Sequence, residues 1–557
     1  MSRPSEQLTG EKGATAGRER RVLAALMALT ALVYLRGLTG GFVWDDRVFF
    51  LDNDILPSWK PWELGRILLE PSTYWGDHIP ATDFLFTLEH WLFGLWTPGY
   101  HLTSMLMYLF TGAMLYRLVI MIYGLARGGE GFTRIAEEGP WGDRGSALIA
   151  AAFFMLHPVH VEAVAYITGQ KDLLYGFFSL AALYGLAAMR AGGRRGLWLP
   201  LAALSYYLAF MSKPMAAATA IFLPLFWFFV LRRRGEGLWR PFLFWSVLNL
   251  PAIGWFVFSL RKTVDLWSQL SMMGQRLLLG IKVLGAHLTI FLLPWPLNFG
   301  YPFNETIVFD PNMLMGMVFL AGAALVLAAR PRSIYALGIT VFLVFLLPVL
   351  QVFVRVPNAV VFDRYLYVSV LGGALVFERL AAAASRRLRT SPALWGAAVL
   401  LMVYAGLTAA YVPKFHSDVD SLRHAYTHFP GWKRPAFDYA YALVEAGQLE
   451  EAERMALTER TFESPGWVRP YFLGWIRIEQ GRAAEALGYL ELASHDAVFG
   501  GYYPFPDVHL GRAYMILGKK AKARGALGRV IARRSAQPVE YYKAIRLLRE
   551  LEGQAGQ

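Results

Sequence analysis

VLAALMALTALVYLRGLTGGFVWDDR, residues 22–47, decides how this chain is read. Its first part, 22–41, is apolar and long enough to cross a bilayer as one helix. Arg18, Arg20 and Arg21 precede it, and no small-x-small cleavage site follows at the right distance, so it reads as an uncleaved anchor with a cytoplasmic basic flank. At its outer end stand two adjacent acids, Asp45 and Asp46. Acids placed against a membrane are costly and tend to be functional.

The remaining composition extends the membrane reading. Of 557 residues, 56% are apolar and only 17% charged, where a soluble domain carries about 25% charged. The aromatic share of 15%, with 18 Trp, suits many membrane–water interfaces. A net charge of +13 raises nucleic acid as a partner. The bases fall mainly in short loops between apolar runs, however, which is an orientation signal and excludes nucleic acid. Without a single cysteine, disulfides and thiolate metal sites are excluded too.

The predicted fold is all-α and polytopic, with about eleven spans: 22–41, 101–124, a pair flanking a bend at 157–171, 197–211, 215–231, 241–260, 311–330, 334–353, 366–384 and 393–412. Arg127, Arg134 and Arg144, Arg194 and Arg195, Arg232-Arg-Arg234, Arg330-Pro-Arg332 and Arg386-Arg-Leu-Arg389 then lie on the cytoplasmic side. The stretch 276–295 is expected to be re-entrant or interfacial, broken by Pro294-Trp-Pro296, because a crossing there would expose the later arginine clusters outside. This gives a cytoplasmic tail 1–21, a transmembrane domain 22–412 with an outer loop at 42–100, and an extracytoplasmic domain 413–557.

The tail is charged and repetitive. Gly447, Gly481 and Gly518 lie 34 and 37 residues apart. Ala440, Gly474 and Gly511 stand at the same distance before them, and Ala452, Ala486 and Ala523 at the same distance after. Small residues at these offsets let paired antiparallel helices pack closely, and the period is that of tetratricopeptide repeats, which form an α-solenoid. An insertion is expected around Phe499-Gly-Gly-Tyr-Tyr-Pro504 and a capping helix near 538–551. Such a solenoid commonly holds an extended peptide; a purely structural cap is the competing reading. Lys519, Lys520, Lys522, Arg524, Arg529, Arg533 and Arg534 accumulate without an intervening acid, as a solvated face or a contact for anionic membrane lipids.

Candidate chemistry collects at the outer ends of the spans: Asp45 and Asp46, His157-Pro-Val-His-Val-Glu162, Gln170-Lys-Asp172, Lys213, and Asp363-Arg-Tyr-Leu-Tyr367 with Arg355 upstream. Transfer from a lipid-linked sugar phosphate needs a carboxylate to take a proton from an acceptor hydroxyl and cations to stabilise the departing phosphate. Asp45 or Asp46 is the candidate catalytic base, Asp45 being preferred as nearer the membrane. His157, His160, Glu162 and Asp172 are candidates for positioning donor or acceptor, and Lys171, Lys213, Arg364 and Arg355 for binding phosphate. Each has a bland alternative: Asp45 capping a helix or pairing with Arg47, the histidines as a hydrogen-bonded structural pair, the cations as headgroup anchors. His157 and His160, three residues apart, would with Glu162 also make a possible divalent-metal set.

Phe42-Val-Trp-Asp-Asp46, His157-Pro-Val-His-Val-Glu-Ala-Val164, Gly169-Gln-Lys-Asp-Leu-Leu174, Ser212-Lys-Pro214 and Asp363-Arg-Tyr-Leu-Tyr367, followed by repeats, occur in one order. In this the chain resembles the transmembrane-and-tetratricopeptide-repeat O-mannosyltransferases, and more broadly the GT-C glycosyltransferases, over essentially its whole length. The resemblance implies an Asp base in the first outer loop, matched by Asp45 and Asp46, and a loop matched by His157, His160 and Glu162. It implies a polyprenyl-phosphate sugar as donor and Ser or Thr of a secreted polypeptide as acceptor. The chain departs from the family at Ile79-Pro80, where Arg-Pro is usual, at Gln170-Lys171 for Gly-Arg, and at Ser212-Lys-Pro214 for Ser-Lys-Glu. Lys171 keeps the charge at its position, while sugar and acceptor stay open.

The expected protein is thus a membrane glycosyltransferase of bacterial inner-membrane type, active on the extracytoplasmic side, with the repeats presenting an acceptor polypeptide. Alternatives are a related enzyme acting on a cell-surface glycan or lipid, and a non-catalytic scaffold recruiting proteins through the repeats. A transporter is disfavoured, since no pseudo-symmetric halves with matching broken helices are seen.

Overall fold

The computed structural model describes residues 4–73, 78–127, 140–232, 243–251, 254, 273–307, 309–352, 360–387, 392–464, 466–499, 505–532 and 538–553. Among them every regular element is a helix, as expected of a chain whose backbone polar groups must be satisfied within hydrocarbon. Among the described residues, seven helices are long and apolar enough to cross a membrane: Arg20–Thr39, Thr97–Arg127, Ile167–Arg190, Pro214–Leu231, Met273–Leu292, Pro311–Ala329 and Leu394–Phe415. The pair Gly142–Leu156 and Pro158–Ala165, bent by 53° at the expected break, would make an eighth. This is a multi-pass membrane protein.

The expected eleven spans are not all found among the described residues, for identifiable reasons. The 197–211 run is an 18-residue helix, Arg195–Ser212, that carries Pro200 within it. The 334–353 run gives the short apolar helix Ile334–Val349. The 366–384 run becomes Ser369–Arg387, which buries Glu378 and Arg379 as a pair at 2.7 Å. Of 241–260 only 243–251 and 254 are described. The 276–295 stretch also departs from expectation. It is one continuous helix, Met273–Leu292, that ends before Pro294, so the prolines terminate it and do not break it. It lies so close to Pro311–Ala329 that a Cβ on Gly285 would meet the Asn312 carbonyl, and one on Gly316 the Ile281 carbonyl. Small residues permit such approach where lipid offers no hydrophobic drive.

The chain divides into two compact units. The first comprises Met1–Gly41, Pro61–Leu69 and His78–Phe415. In it Tyr123 donates to Glu378, and Arg379 reaches Ser146 at 3.2 Å. A buried charged cluster thus ties together the Thr97–Arg127, Gly142–Leu156 and Ser369–Arg387 helices, with its charges paired as burial requires.

The second unit comprises Phe42–Lys60, Glu70–Asp77 and His416–Gln557. Its C-terminal helices run Asp418–His428, Lys433–Glu445, Leu449–Thr458, Val468–Glu479, Ala483–Phe499, Phe505–Ile516, Lys520–Ala532 and Pro538–Gly553. Each packs on the next, and Lys433–Glu445, Val468–Glu479 and Phe505–Ile516 also pack one upon another. Gly447, Gly481 and Gly518 close the first helix of three successive pairs at φ 71°, 76° and 70°, the left-handed region that ends helices without a Cβ penalty. Ala440, Ala452, Ala486 and Ala523 are buried between helices. A Cβ on Gly474 would collide with Leu490, and one on Gly511 with Leu527. The last helix reaches back to an early one: Lys543 donates to the Tyr441 hydroxyl at 2.7 Å and stands 3.6 Å from Glu445. The expected insertion falls mostly on 500–504, outside the described residues, as do Arg533 and Arg534 of the basic run.

Gly481→Ala should cost about 1–2 kcal/mol by forcing an L-residue into left-handed backbone. Calorimetry of the detergent-solubilised chain should show the transition of the C-terminal helices lowered by a few degrees, and an unchanged melt would contradict this account.

Candidate functional site

In the first unit the site is built around the bend after Leu156. Proline cannot continue a helix but suits the start of the next. His157 caps the turn Pro158–His160, accepting the Val159 N–H at 3.4 Å, and the chain passes through Val161–Ala165 and Ile167–Gly169 into the helix Gln170–Arg190. The bend is tight: a Cβ on Gly169 would stand 2.7 Å from the Ala163 carbonyl oxygen and 2.8 Å from that of Glu162. Only glycine fits there. Glu162 and Asp172, near its two ends, are fully buried.

Each buried acid has a cation from a distant segment. Glu162 pairs through Oε1 with the Arg364 guanidinium and accepts the Arg364 backbone N–H through Oε2 at 2.9 Å. Asp172 Oδ1 holds the Lys213 ammonium at 2.5 Å. Both cations flank one ring: Tyr365 lies 5.5 Å from Lys213 Nζ and 5.7 Å from Arg364 Cζ. Lys171, half-buried, acts on Lys213 through its charge. Burial lowers the Lys213 ammonium to about 8, with Asp172 opposing and Lys171 and Arg364 adding to the shift. Next to Arg364, Asp363 accepts from the Tyr301 hydroxyl at 2.8 Å, and burial followed by the Glu162 charge pushes its carboxyl well up. Asp172 Oδ2 and Asp363 Oδ2 are buried without a hydrogen-bond partner among the described residues. Two paired cations, with the Lys171 charge near one of them, thus gather at one place, and ammonium and guanidinium groups held this way suit a phosphate group.

The helix Pro80–Phe93 braces this cluster, and the sequence reading missed it. Thr82 donates to the Ser212 carbonyl at 2.9 Å, next to Lys213. Gln170 donates to Glu89 and to the Tyr100 carbonyl, each at 3.0 Å. Burial raises the Glu89 carboxyl to about 8, with the Gln170 bond opposing. An acid inside the apolar run 84–93 was the available signal for Glu89.

The histidines are occupied elsewhere. His160 Nδ1 meets the Tyr108 hydroxyl at 2.8 Å, and Nε2 lies 3.1 Å from the Tyr367 carbonyl oxygen. His157 stacks on Phe291 with centroids 5.1 Å apart. With Glu162 committed to Arg364, the possible metal set of His157, His160 and Glu162 does not converge. Among the described residues no three His, Asp or Glu side chains gather in a metal-holding arrangement. Arg355 lies outside the described residues.

The acidic motif belongs to the second unit. Asp45–Phe50 is a short helix entered through Trp44 at φ 45°, a backbone conformation rare for a bulky L-residue. Asp46 is fully buried and accepts the Val43 N–H at 3.0 Å, whereas Asp45 is partly exposed. Trp44 donates its N–H to Asp418 at 2.6 Å. Arg47 pairs with Glu445 at 3.0 Å and Asp52 at 3.5 Å. Burial raises the Asp418 carboxyl, while the Trp44 N–H and Arg47 pull it back down. Neither Asp418 nor Glu445 was a sequence candidate, since nothing local distinguishes them from other helix-end acids.

No protein-family model matches the chain, and no solved structure matches it. Curated relatives do. Protein O-mannosyl-transferase F38B6.6 of Caenorhabditis elegans is 31% identical over 190 residues, which is 32% of this chain and 24% of the relative. Protein O-mannosyl-transferase TMTC4 of Homo sapiens is 28% identical over 181 residues, 30% of this chain and 23% of the relative. Protein O-mannosyl-transferase tmtc2 of Xenopus laevis is 30% identical over 176 residues, 30% of this chain and 18% of the relative. The match spans about a quarter or less of these relatives' length. The resemblance to the transmembrane-and-tetratricopeptide-repeat O-mannosyltransferases is borne out, over about a third of the chain where the motifs suggested essentially its whole length.

Breaking a buried ion pair from one side leaves an uncompensated charge. Glu162→Ala should therefore cost about 3–5 kcal/mol, and Glu162→Ala combined with Arg364→Leu should cost less than that single change. Thermal unfolding in detergent decides it: a double variant less stable than the single would refute the pairing.

Proposed function

We propose that the chain is a membrane glycosyltransferase that moves a sugar from a polyprenyl-phosphate donor to a hydroxyl, Ser or Thr of a secreted or surface polypeptide being the favoured acceptor. The observation that carries the reading is the pair of buried bridges, Glu162–Arg364 and Asp172–Lys213, gathered on Tyr365. It occurs in a chain whose curated relatives are named protein O-mannosyl-transferases. In this reading Lys171, Lys213 and Arg364 balance the donor phosphate, with Glu162 and Asp172 holding two of them in place.

Asp45 is the proposed base. Its partial exposure supports the choice, since the Asp46 carboxylate is buried and bonded to Val43. Asp45 takes the proton of the acceptor hydroxyl, and the oxygen bonds to the anomeric carbon from the face opposite the phosphate. The bond from that carbon to the phosphate oxygen breaks, and the phosphate leaves with the electron pair, inverting the configuration. His157 and His160 support the bend that carries Glu162 and thereby help to position donor or acceptor.

The C-terminal helix pairs are proposed to form a tetratricopeptide-type solenoid that presents the acceptor. The bond from Trp44 to Asp418 supports placing acidic motif and repeats in one compartment. With Arg18, Arg20 and Arg21 cytoplasmic, that compartment is extracytoplasmic, the periplasm in a bacterial inner membrane. An odd number of crossings must then separate residues 22 and 412. A crossing at Met273–Leu292 is accommodated if one of the expected spans outside the long apolar set does not cross.

Asp45→Asn should lower transfer roughly 10²–10⁴-fold in proteoliposomes supplied with polyprenyl-phosphate mannose and a serine-containing pentapeptide. Full activity in folded protein would sink the assignment. The charge on Lys213 is present below about 8 and lost as pH rises through it. Transfer should thus fall on the alkaline side near that pH, and Lys213→Arg should move this limb upward, because a guanidinium keeps its proton there. An alkaline limb unmoved by Lys213→Arg would remove Lys213 from phosphate binding.

A further inference from the structure

We propose that the C-terminal helices position the acidic motif itself, with Asp418 and Glu445 as positioning residues for Asp45. This rests on the reading of Asp45 as base and extends it, because the repeats then act on the catalytic group as well as on the acceptor. The motif is held from both sides. Before Asp45, the N–H of Trp44 donates to Asp418 at 2.6 Å, and the Arg434 guanidinium lies 5.8 Å from the Trp44 ring. After Asp46, Arg47 reaches Glu445 at 3.0 Å, and Glu445 is itself 3.6 Å from Lys543.

Backbone geometry makes these contacts more than incidental. Trp44 is at φ 45°, which a large L-residue keeps only where its surroundings over-determine it. The peptide group held by Asp418 immediately precedes that strained residue, and the direction of the Asp45 side chain follows from the backbone entering it. Within the motif, Asp46 closes a ring onto the Val43 N–H at 3.0 Å, so backbone and side chain of 43–47 move together. Asp418 is partly buried, and a hydrogen bond to a charged acceptor is among the strong ones. Helices devoted only to presenting a polypeptide would have no need to grip the backbone of the acidic motif.

The test compares Asp418→Ala, which removes the acceptor oxygen, with Asp418→Asn, which keeps one for the Trp44 N–H. In full-length protein in vesicles, with polyprenyl-phosphate mannose and a serine-containing pentapeptide too short to span the helices, Asp418→Ala should lower kcat roughly tenfold to a hundredfold. KM for either substrate should stay within about twofold, and Asp418→Asn should recover most of kcat. Independently of activity, amide exchange of 43–47 should speed up roughly tenfold or more in Asp418→Ala and stay unchanged in Asp45→Asn. Unchanged exchange, or a defect confined to KM for the peptide, would overturn the proposal. If Asp418→Ala does not fold, the charge exchange decides: Glu445→Arg should lower kcat and Arg47→Glu added to it should restore part of the loss, and no restoration overturns the proposal. An active Asp45→Asn protein would fail the function reading, whereas exchange at 43–47 would still report whether Asp418 holds the motif.

Discussion

A charge taken out of water must be matched, and the membrane unit is arranged around that constraint. Moving one ion into a low-dielectric interior costs several kcal/mol after relaxation, and only a well-placed partner offsets it. Glu162 and Asp172 are fully buried, and their partners come from turns far away in sequence, at Arg364 and Lys213. The bend after Leu156, the turn after Ser212 and the segment opening at Asp363 are therefore fixed together by electrostatics as much as by packing. Gly169 permits the bend to be tight enough, and the Pro80–Phe93 helix holds both Ser212 and Gln170. A rigid frame of this kind keeps several cations close despite their mutual repulsion.

Much of this was legible in the sequence, and what was not has definite causes. Helices, long apolar spans and the break at His157-Pro158 follow from local rules, because hydrocarbon leaves the backbone few options. Gly447, Gly481 and Gly518 were legible because left-handed backbone selects glycine wherever it recurs. The count of spans was less legible. Hydropathy treats Glu378 and Arg379 as two separate costs, although their pairing lets both be buried. Pro294 lies beyond the end of the helix that its position suggests it would break.

In the site, the residue types were legible and their partners were not. Glu162, Asp172, Lys213 and Arg364 announce themselves as charges at the ends of apolar runs. That Glu162 belongs to Arg364, 202 positions away, is a property of tertiary packing alone. For the histidines it is the surroundings that the sequence does not show. Both rings sit among Phe153, Phe154, Phe291, Tyr108 and Tyr367, and His160 there meets a tyrosine hydroxyl and a backbone carbonyl. Asp418 was invisible because its partner is a backbone N–H, which carries no residue signature.

The return of Lys543 to Tyr441 and Glu445 has a consequence for how this protein could change over evolutionary time. Open arrays of helix pairs gain or lose units easily, since each unit touches only its neighbours. Here the final helix touches a helix 102 positions earlier, and that helix also carries the partner of Arg47. Adding a unit in between would carry Lys543 away from Glu445 and alter the charge facing Arg47. The array has thereby lost its modularity: its length is tied, through one glutamate, to the segment that bears the acidic pair.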